Sequence, residues 1–73
     1  MRESTLLAHL SLTEEALRSE RIRIADQLEF IRRLKLEGRD LSTARELLQS
    51  MNGTLRSLQR HRDRLVEQLG LVG

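Results

Sequence analysis

Two histidines, His9 and His61, are the side chains of this sequence best suited to proton transfer or metal binding near neutral pH. His61 lies among Arg60, Arg62 and Arg64, whereas His9 lies near the other end of the chain. A phosphoacceptor histidine needs a helical bundle that presents one exposed imidazole, and only that coarse feature is present. We therefore interpret both residues as exposed helical histidines without a chemical role.

Four glutamates of the first half of the chain could in principle bind a metal: Glu14, Glu15, Glu20 and Glu29. Di-metal sites in helical bundles combine inward-facing glutamates with a Glu-x-x-His motif, which this sequence lacks. Cysteine is absent, which removes thiolate ligands and disulfides together. The sequence also shows no nucleophile–base pair and no glycine-rich phosphate loop. We predict a protein that is not an enzyme and that needs no metal or cofactor.

Arg56, Arg60 and Arg64 recur at four-residue spacing, which would align them along one face of a helix as a possible nucleic-acid face. Against this function, 13 cationic residues are balanced by 11 anionic ones, for a net charge of +2. Phe30 is the one aromatic residue of the sequence, so bases would find no stacking platform. A solvated, salt-bridged face is the favoured interpretation of these arginines.

The elements that would carry these side chains are helices. Leucine, arginine and glutamate dominate the sequence, proline is absent, and strand-forming residues are sparse. We predict an all-α fold of one domain, 1–73, with helix 1 at about 5–36, a turn at about 37–40 and helix 2 at about 41–69.

Local signals set these boundaries. Gly38 can take the left-handed conformation that ends a helix, and Asp40 or Ser42 can cap the helix that follows. Two alternatives stay open. Helix 1 could start late, at the capping box that begins at Ser11, and helix 2 could break at Asn52-Gly53.

Apolar residues in both halves alternate at spacings of four and three, which indicates a coiled-coil seam. The apolar seam residues are Leu6, Leu10, Leu17, Ile24, Ile31 and Leu34, then Ala44, Leu48, Met51, Leu55, Leu58, Leu65, Leu69 and Val72. Polar residues fill the remaining seam positions: Thr13, Glu20, Gln27 and Arg62. Two helices joined by so short a turn must run antiparallel, so the seam predicts a two-helix coiled-coil hairpin.

In one register, the seam positions of the two helices face each other along the whole length of the hairpin. Its facing pairs include Leu34 with Ala44, Ile31 with Leu48, Gln27 with Met51, Leu17 with Arg62 and Thr13 with Leu65. His61 then faces residues 17 and 18, which keeps it apart from His9. Glu20 and Arg62 fall in adjacent layers, and we predict that they form an ion pair in the seam that fixes the register.

Further apolar residues flank the seam and widen the apolar stripe. Leu28, Phe30, Leu47 and Val66 are the residues that we expect to form a dimer or partner interface. A wide stripe is typical of a bundle helix that contacts two neighbours, and a single core of this size rarely gives more than about 3–5 kcal/mol. We predict a homodimer that forms a four-helix bundle. A monomeric hairpin and a foreign partner helix are the alternatives.

The sequence around the turn resembles a group of short bacterial helical-hairpin proteins of unknown function. The resemblance covers residues 15 to 69 and is carried by Leu34-Lys-Leu-Glu-Gly38-Arg-Asp40, Ala44-Arg45-Glu-Leu47-Leu48 and His61-Arg62-Asp63-Arg64-Leu65. Leu41 departs from the threonine that is common after the aspartate in that group. The resemblance implies a helical hairpin and no activity.

These observations favour a structural or protein-interaction module that acts through helix packing. A Rop-like RNA- or DNA-binding regulator is the alternative, and a detached helical piece of a signalling protein is a third. No apolar run approaches the ~20 residues that cross a bilayer, and Met1 to Thr5 lack the apolar core of a signal peptide. We expect a cytoplasmic protein that contacts neither a membrane nor a small-molecule substrate.

Overall fold

The computed structural model describes residues 2–70. Within that range it contains two helices, α1 at Arg2–Leu36 and α2 at Ser42–Gln68, and no strand. The start of α1 lies beside the end of α2, where Leu6 and Gln68 line one cavity. The end of α1 lies beside the start of α2, where Leu34 and Ala44 line another. The predicted all-α antiparallel hairpin is confirmed.

Both helices run through the points where the sequence left alternatives open. α1 begins at Arg2, ahead of the predicted start near Thr5, and continues through Ser11 without interruption. α2 is continuous through Asn52 and Gly53. The high content of leucine, arginine and glutamate supports such helices because these side chains lose little rotamer freedom in a helix.

Gly38 ends α1 by adopting a left-handed conformation, with φ of 69°. Its backbone N–H donates to the carbonyl of Lys35 at 3.1 Å, and the N–H of Arg39 donates to the carbonyl of Leu34 at 2.9 Å. This pair of bonds satisfies carbonyls that the end of the helix would otherwise leave without donors. The turn therefore forms where the sequence predicted it.

Leu41 is the N-cap residue of α2 and makes no side-chain capping bond, so the acceptor at this helix end is supplied by Asp40, the residue before it. Oδ1 of Asp40 accepts the backbone N–H of Ser42 at 3.0 Å and the Ser42 hydroxyl at 2.8 Å. These bonds hold the pKa of Asp40 below its ordinary value of 3.8, because they favour the charged carboxylate. Of the two caps that the sequence suggested, Asp40 supplies the acceptor and Ser42 the donors.

The seam divides into two rows that differ strongly in burial. The inner row comprises Leu6, Thr13, Glu20, Gln27 and Leu34 in α1 and Ala44, Met51, Leu58 and Leu65 in α2; all but Leu6 and Leu58 are buried. The outer row comprises Leu10, Leu17, Ile24 and Ile31 in α1, Leu48, Leu55 and Arg62 in α2, and Leu69, the C-cap residue of α2; all but Leu17 are half-buried. The inner row thus faces the neighbouring helix. Val72, the last predicted seam residue, lies outside the described residues.

The helices meet in a register that differs from the predicted one by about one helical turn. Gln27 donates a hydrogen bond from Nε2 to the carbonyl of Ala44 at 2.9 Å, although the predicted register faced Gln27 with Met51. Thr13 lines a cavity with His61, one turn before its predicted neighbour Leu65. The last turn of α1 accordingly extends past the start of α2. A seam pattern selects the faces that pack, but sliding one helix by a turn still brings seam residues together.

Candidate functional site

The predicted ion pair between Glu20 and Arg62 is replaced by two pairs, each within one helix. Glu20 is 5% exposed, and its Oε1 accepts a hydrogen bond from Nη1 of Arg23 at 3.0 Å. Arg62 instead donates from Nη2 to Oδ1 of Asp63 at 3.2 Å. The register explains why Glu20 and Arg62 do not pair, since Arg62 adjoins His61 at the level of Thr13 and lies away from Glu20.

The second carboxylate oxygen of Glu20, Oε2, is buried and accepts no hydrogen bond within the described residues. Such an oxygen reduces stability because burial removes its water without supplying a donor. Nowhere in residues 2–70 do three or more histidine, cysteine or carboxylate side chains come close enough to hold a metal ion. The buried carboxylate is therefore partnered on one oxygen, by Arg23, and belongs to no metal site within the described residues.

One side of the hairpin presents aliphatic residues that α1 and α2 leave partly uncovered. We call it the open face, and define it as the half-buried aliphatic residues of the outer row together with Leu7, Leu28 and Val66; the outer-row residues included are Leu10, Ile24, Ile31, Leu48, Leu55 and Leu69. Leu28 lies four residues after Ile24 and three before Ile31, so it shares their side of α1; it is 51% exposed. Val66 lies between Arg62 and Leu69 on α2 in the same way and is half-buried.

Phe30 and Leu47 lie on the opposite side of the hairpin from the open face. Both line a cavity of about 400 Å³ near the turn, together with the inner-row residues Leu34 and Ala44. Phe30 follows Gln27 by three residues, and Leu47 follows Ala44 by three. Each therefore lies beside the inner row, on the side opposite the outer row. The four residues predicted as one interface are thus divided, with Leu28 and Val66 on the open face and Phe30 and Leu47 behind it.

The predicted basic face is partly assembled. Arg56 and Arg60 line one groove of about 660 Å³ on α2, and His61 lines it with them. Arg64 is absent from the described lining of that groove. The spacing of four residues identified Arg56 and Arg60 correctly as neighbours, but it could not show where the chain leaves space beside them.

His9 and His61 are brought together, contrary to the prediction that they lie apart. Both line a shallow cavity of about 310 Å³ with Leu12 and Thr13. The displaced register is the cause, because it moves His61 toward the start of α1. Both imidazoles are exposed.

Searches against protein-family models, curated proteins and solved structures return no match to this chain. The resemblance to short bacterial hairpin proteins therefore stays a prediction. In the part of the chain that the structure describes, neither helix has the length and apolarity that a membrane span requires.

Proposed function

We propose that this chain is a non-enzymatic protein-interaction module that pairs with a second copy of itself through the open face and forms a four-helix bundle. The observation that carries the proposal is that three polar seam residues are buried while most of the aliphatic outer row stays half-buried. Thr13, Glu20 and Gln27 are buried between the two helices, whereas Ile24, Leu55 and most of the aliphatic outer row are half-buried. Burying this row against another surface is favourable by about 25 cal/mol per Å² of apolar area.

The area of the hairpin supports a second copy as the occupant of the open face. The accessible surface is 5666 Å². A globular monomer of 8.5 kDa would expose about 4,700 Å², so the hairpin exposes an excess of about 1,000 Å². A standard protein interface buries about 800 Å² on each partner. The excess is therefore of the same size as the area that one partner buries in such an interface.

The shape of the hairpin supports the same occupant. Its dimensions are 55 × 19 × 14 Å, and its radius of gyration is 16.4 Å. A compact domain of this length has a radius of gyration of about 11 Å. A second hairpin laid along the open face doubles the thickness without adding length.

The cytoplasmic setting that the sequence suggests is part of this proposal.

Sedimentation equilibrium at micromolar concentration tests the proposal. The wild-type chain should have a mass near twice 8.5 kDa. Leu28→Glu should shift it toward the monomer, because a charge cannot be buried unpaired at an interface. Leu28 is 51% exposed in the single hairpin, so the substitution leaves the helix pair intact.

Ile22→Glu is the matched control, since Ile22 is 64% exposed, lies on the same helix and is outside the open face. It should leave the dimer unchanged. A wild-type chain that sediments as a folded monomer would overturn the proposal. Dissociation by Phe30→Glu with Leu47→Glu, but not by Leu28→Glu, would also overturn it by moving the interface to the other side of the hairpin.

A further inference from the structure

The groove beside Arg56 and Arg60 has the composition of an anion site. In addition to Arg56, Arg60 and His61, it is lined by Leu58 and by three hydroxyl-bearing residues, Ser50, Thr54 and Ser57. The Thr54 hydroxyl donates to the carbonyl of Ser50 at 3.3 Å. All its described lining residues belong to α2, and none is a carboxylate. Gly53 also lines it and has no side chain to fill it.

Both guanidinium groups fold back along α2 into the groove. Nη2 of Arg60 donates to Oγ of Ser57 at 3.3 Å. Nη2 of Arg56 lies 4.0 Å from the point where a Cβ would stand on Gly53. Each arginine thus lies over the residue three positions before it. Because the arginines are four residues apart, their charges follow the helix axis at a spacing of about 6 Å.

In the described part of the chain, Arg56 and Arg60 form no ion pair with a carboxylate. The segment of α2 from 47 to 62 contains no aspartate or glutamate. Asp63, which follows it, pairs with Arg62 instead. Within residues 2–70, neither Arg56 nor Arg60 lies within salt-bridge distance of a carboxylate. The even balance of charge over the whole chain therefore conceals a local basic segment.

We infer that this groove binds the phosphodiester backbone of a nucleic-acid duplex. Arginine and hydroxyl groups are the usual protein partners of backbone phosphates. The described lining holds no phenylalanine, tyrosine or tryptophan, and Phe30 lies near the turn, so the row of stacking side chains that a single strand requires is missing and a duplex fits better. By helix periodicity the groove faces away from the open face, so a dimer would leave it accessible on each copy.

Fluorescence anisotropy with labelled 20-base-pair DNA and RNA duplexes of arbitrary sequence tests the inference. The wild-type chain should bind both duplexes at low salt, and the logarithm of its affinity should fall linearly with the logarithm of salt concentration. Arg56→Gln with Arg60→Gln should weaken binding about tenfold and reduce that slope by about two for each chain. Its sedimentation mass should equal that of the wild type, which separates this groove from the open face.

Arg18→Gln with Arg33→Gln is the matched control, since it removes the same charge from exposed positions of α1. It should keep most of the affinity and the wild-type slope. Absence of binding by the wild type at 50 µM protein and low salt would overturn the inference. Equal weakening by the two double variants would do the same, because it would reveal attraction to charge in general.

Discussion

At the scale of single residues, Glu20 is the clearest example of a seam residue whose burial does not favour the stability of the hairpin. It is buried, its one ion-pair partner Arg23 is 59% exposed, and its Oε2 has no donor in the described residues. A leucine at this seam position would match the aliphatic residues around it. A buried charge of this kind is weak evidence for stability, because desolvation can exceed the Coulomb gain.

Replacing Glu20 by leucine should therefore stabilise the protein by about 1–3 kcal/mol. Urea unfolding followed by circular dichroism at one fixed protein concentration measures the change in the free energy of unfolding. Glu20→Ala should gain less than Glu20→Leu, because it leaves a cavity in the seam. Unfolding of Glu20→Leu at a lower urea concentration than the wild type would contradict this account of the inner row.

Gly53 is the second residue whose substitution should stabilise the chain. It lies inside continuous α2, and a Cβ added there would meet only the flexible end of Arg56, at 4.0 Å. Gly53→Ala should raise the free energy of unfolding by about 0.5–1 kcal/mol, through helix propensity and lower entropy of the unfolded chain. Gly38→Ala is the opposite control: φ of 69° strains any residue with a Cβ, so it should destabilise.

At the scale of elements, the cap of α2 gives a dependence of stability on pH. The pKa of Asp40 is lowered in the folded state, mainly by the backbone N–H of Ser42 and then by its hydroxyl. A lowered pKa means that the cap contributes fully above the ordinary value of 3.8 and loses its contribution as the pH falls through the folded value.

Asp40→Ala should therefore lower the Tm at pH 7, and the difference from the wild type should shrink at pH 2. Thermal unfolding of both proteins at the two pH values, followed by circular dichroism, measures that difference. Comparing the two proteins cancels the titration of all the other carboxylates. A difference in Tm that stays constant from pH 7 to pH 2 would show that the carboxylate is not the group that caps α2.

The elements themselves could be predicted from the sequence, but the register could not. Gly38 and Asp40 are local signals whose hydrogen bonds close within a few residues, so the sequence around them is sufficient. The pairing of Gln27 with Ala44 depends on how far α2 slides along α1. The seam spacing is satisfied almost equally well after a slide of one turn, so it could not select the register. The predicted Glu20–Arg62 pair depended on the wrong register and was therefore wrong as well.

The candidate site was predicted only in part for a related reason. Counting apolar residues beside the seam identified Leu28, Phe30, Leu47 and Val66 as a group. Which side of the hairpin each occupies depends on how the helices are rotated, and the buried inner row shows that rotation. Likewise, four-residue spacing predicted that Arg56 and Arg60 share a side of α2, but the groove beside them depends on Gly53 and on the folded-back guanidinium groups.

At the scale of the whole molecule, the two proposed surfaces lie on opposite sides of the hairpin. The open face is aliphatic and extends along both helices, which suits the packing of a second hairpin. The groove of Arg56 and Arg60 carries two cationic side chains, is shallow and is confined to α2. A dimer built on the open face would present two such grooves, so that binding of a duplex would depend on dimerisation for avidity but not for the chemistry of the groove.

The central claim is that the open face is covered by a second copy, and the rate of thiol labelling tests it most directly. The chain contains no cysteine, so Leu28→Cys and Ile22→Cys each introduce one reactive group. The two native side chains have similar exposure in the single hairpin, 51% and 64%. At micromolar concentration a maleimide should label Leu28→Cys at least several-fold more slowly than Ile22→Cys, and dilution should remove the difference. Equal labelling rates at every concentration would contradict the account.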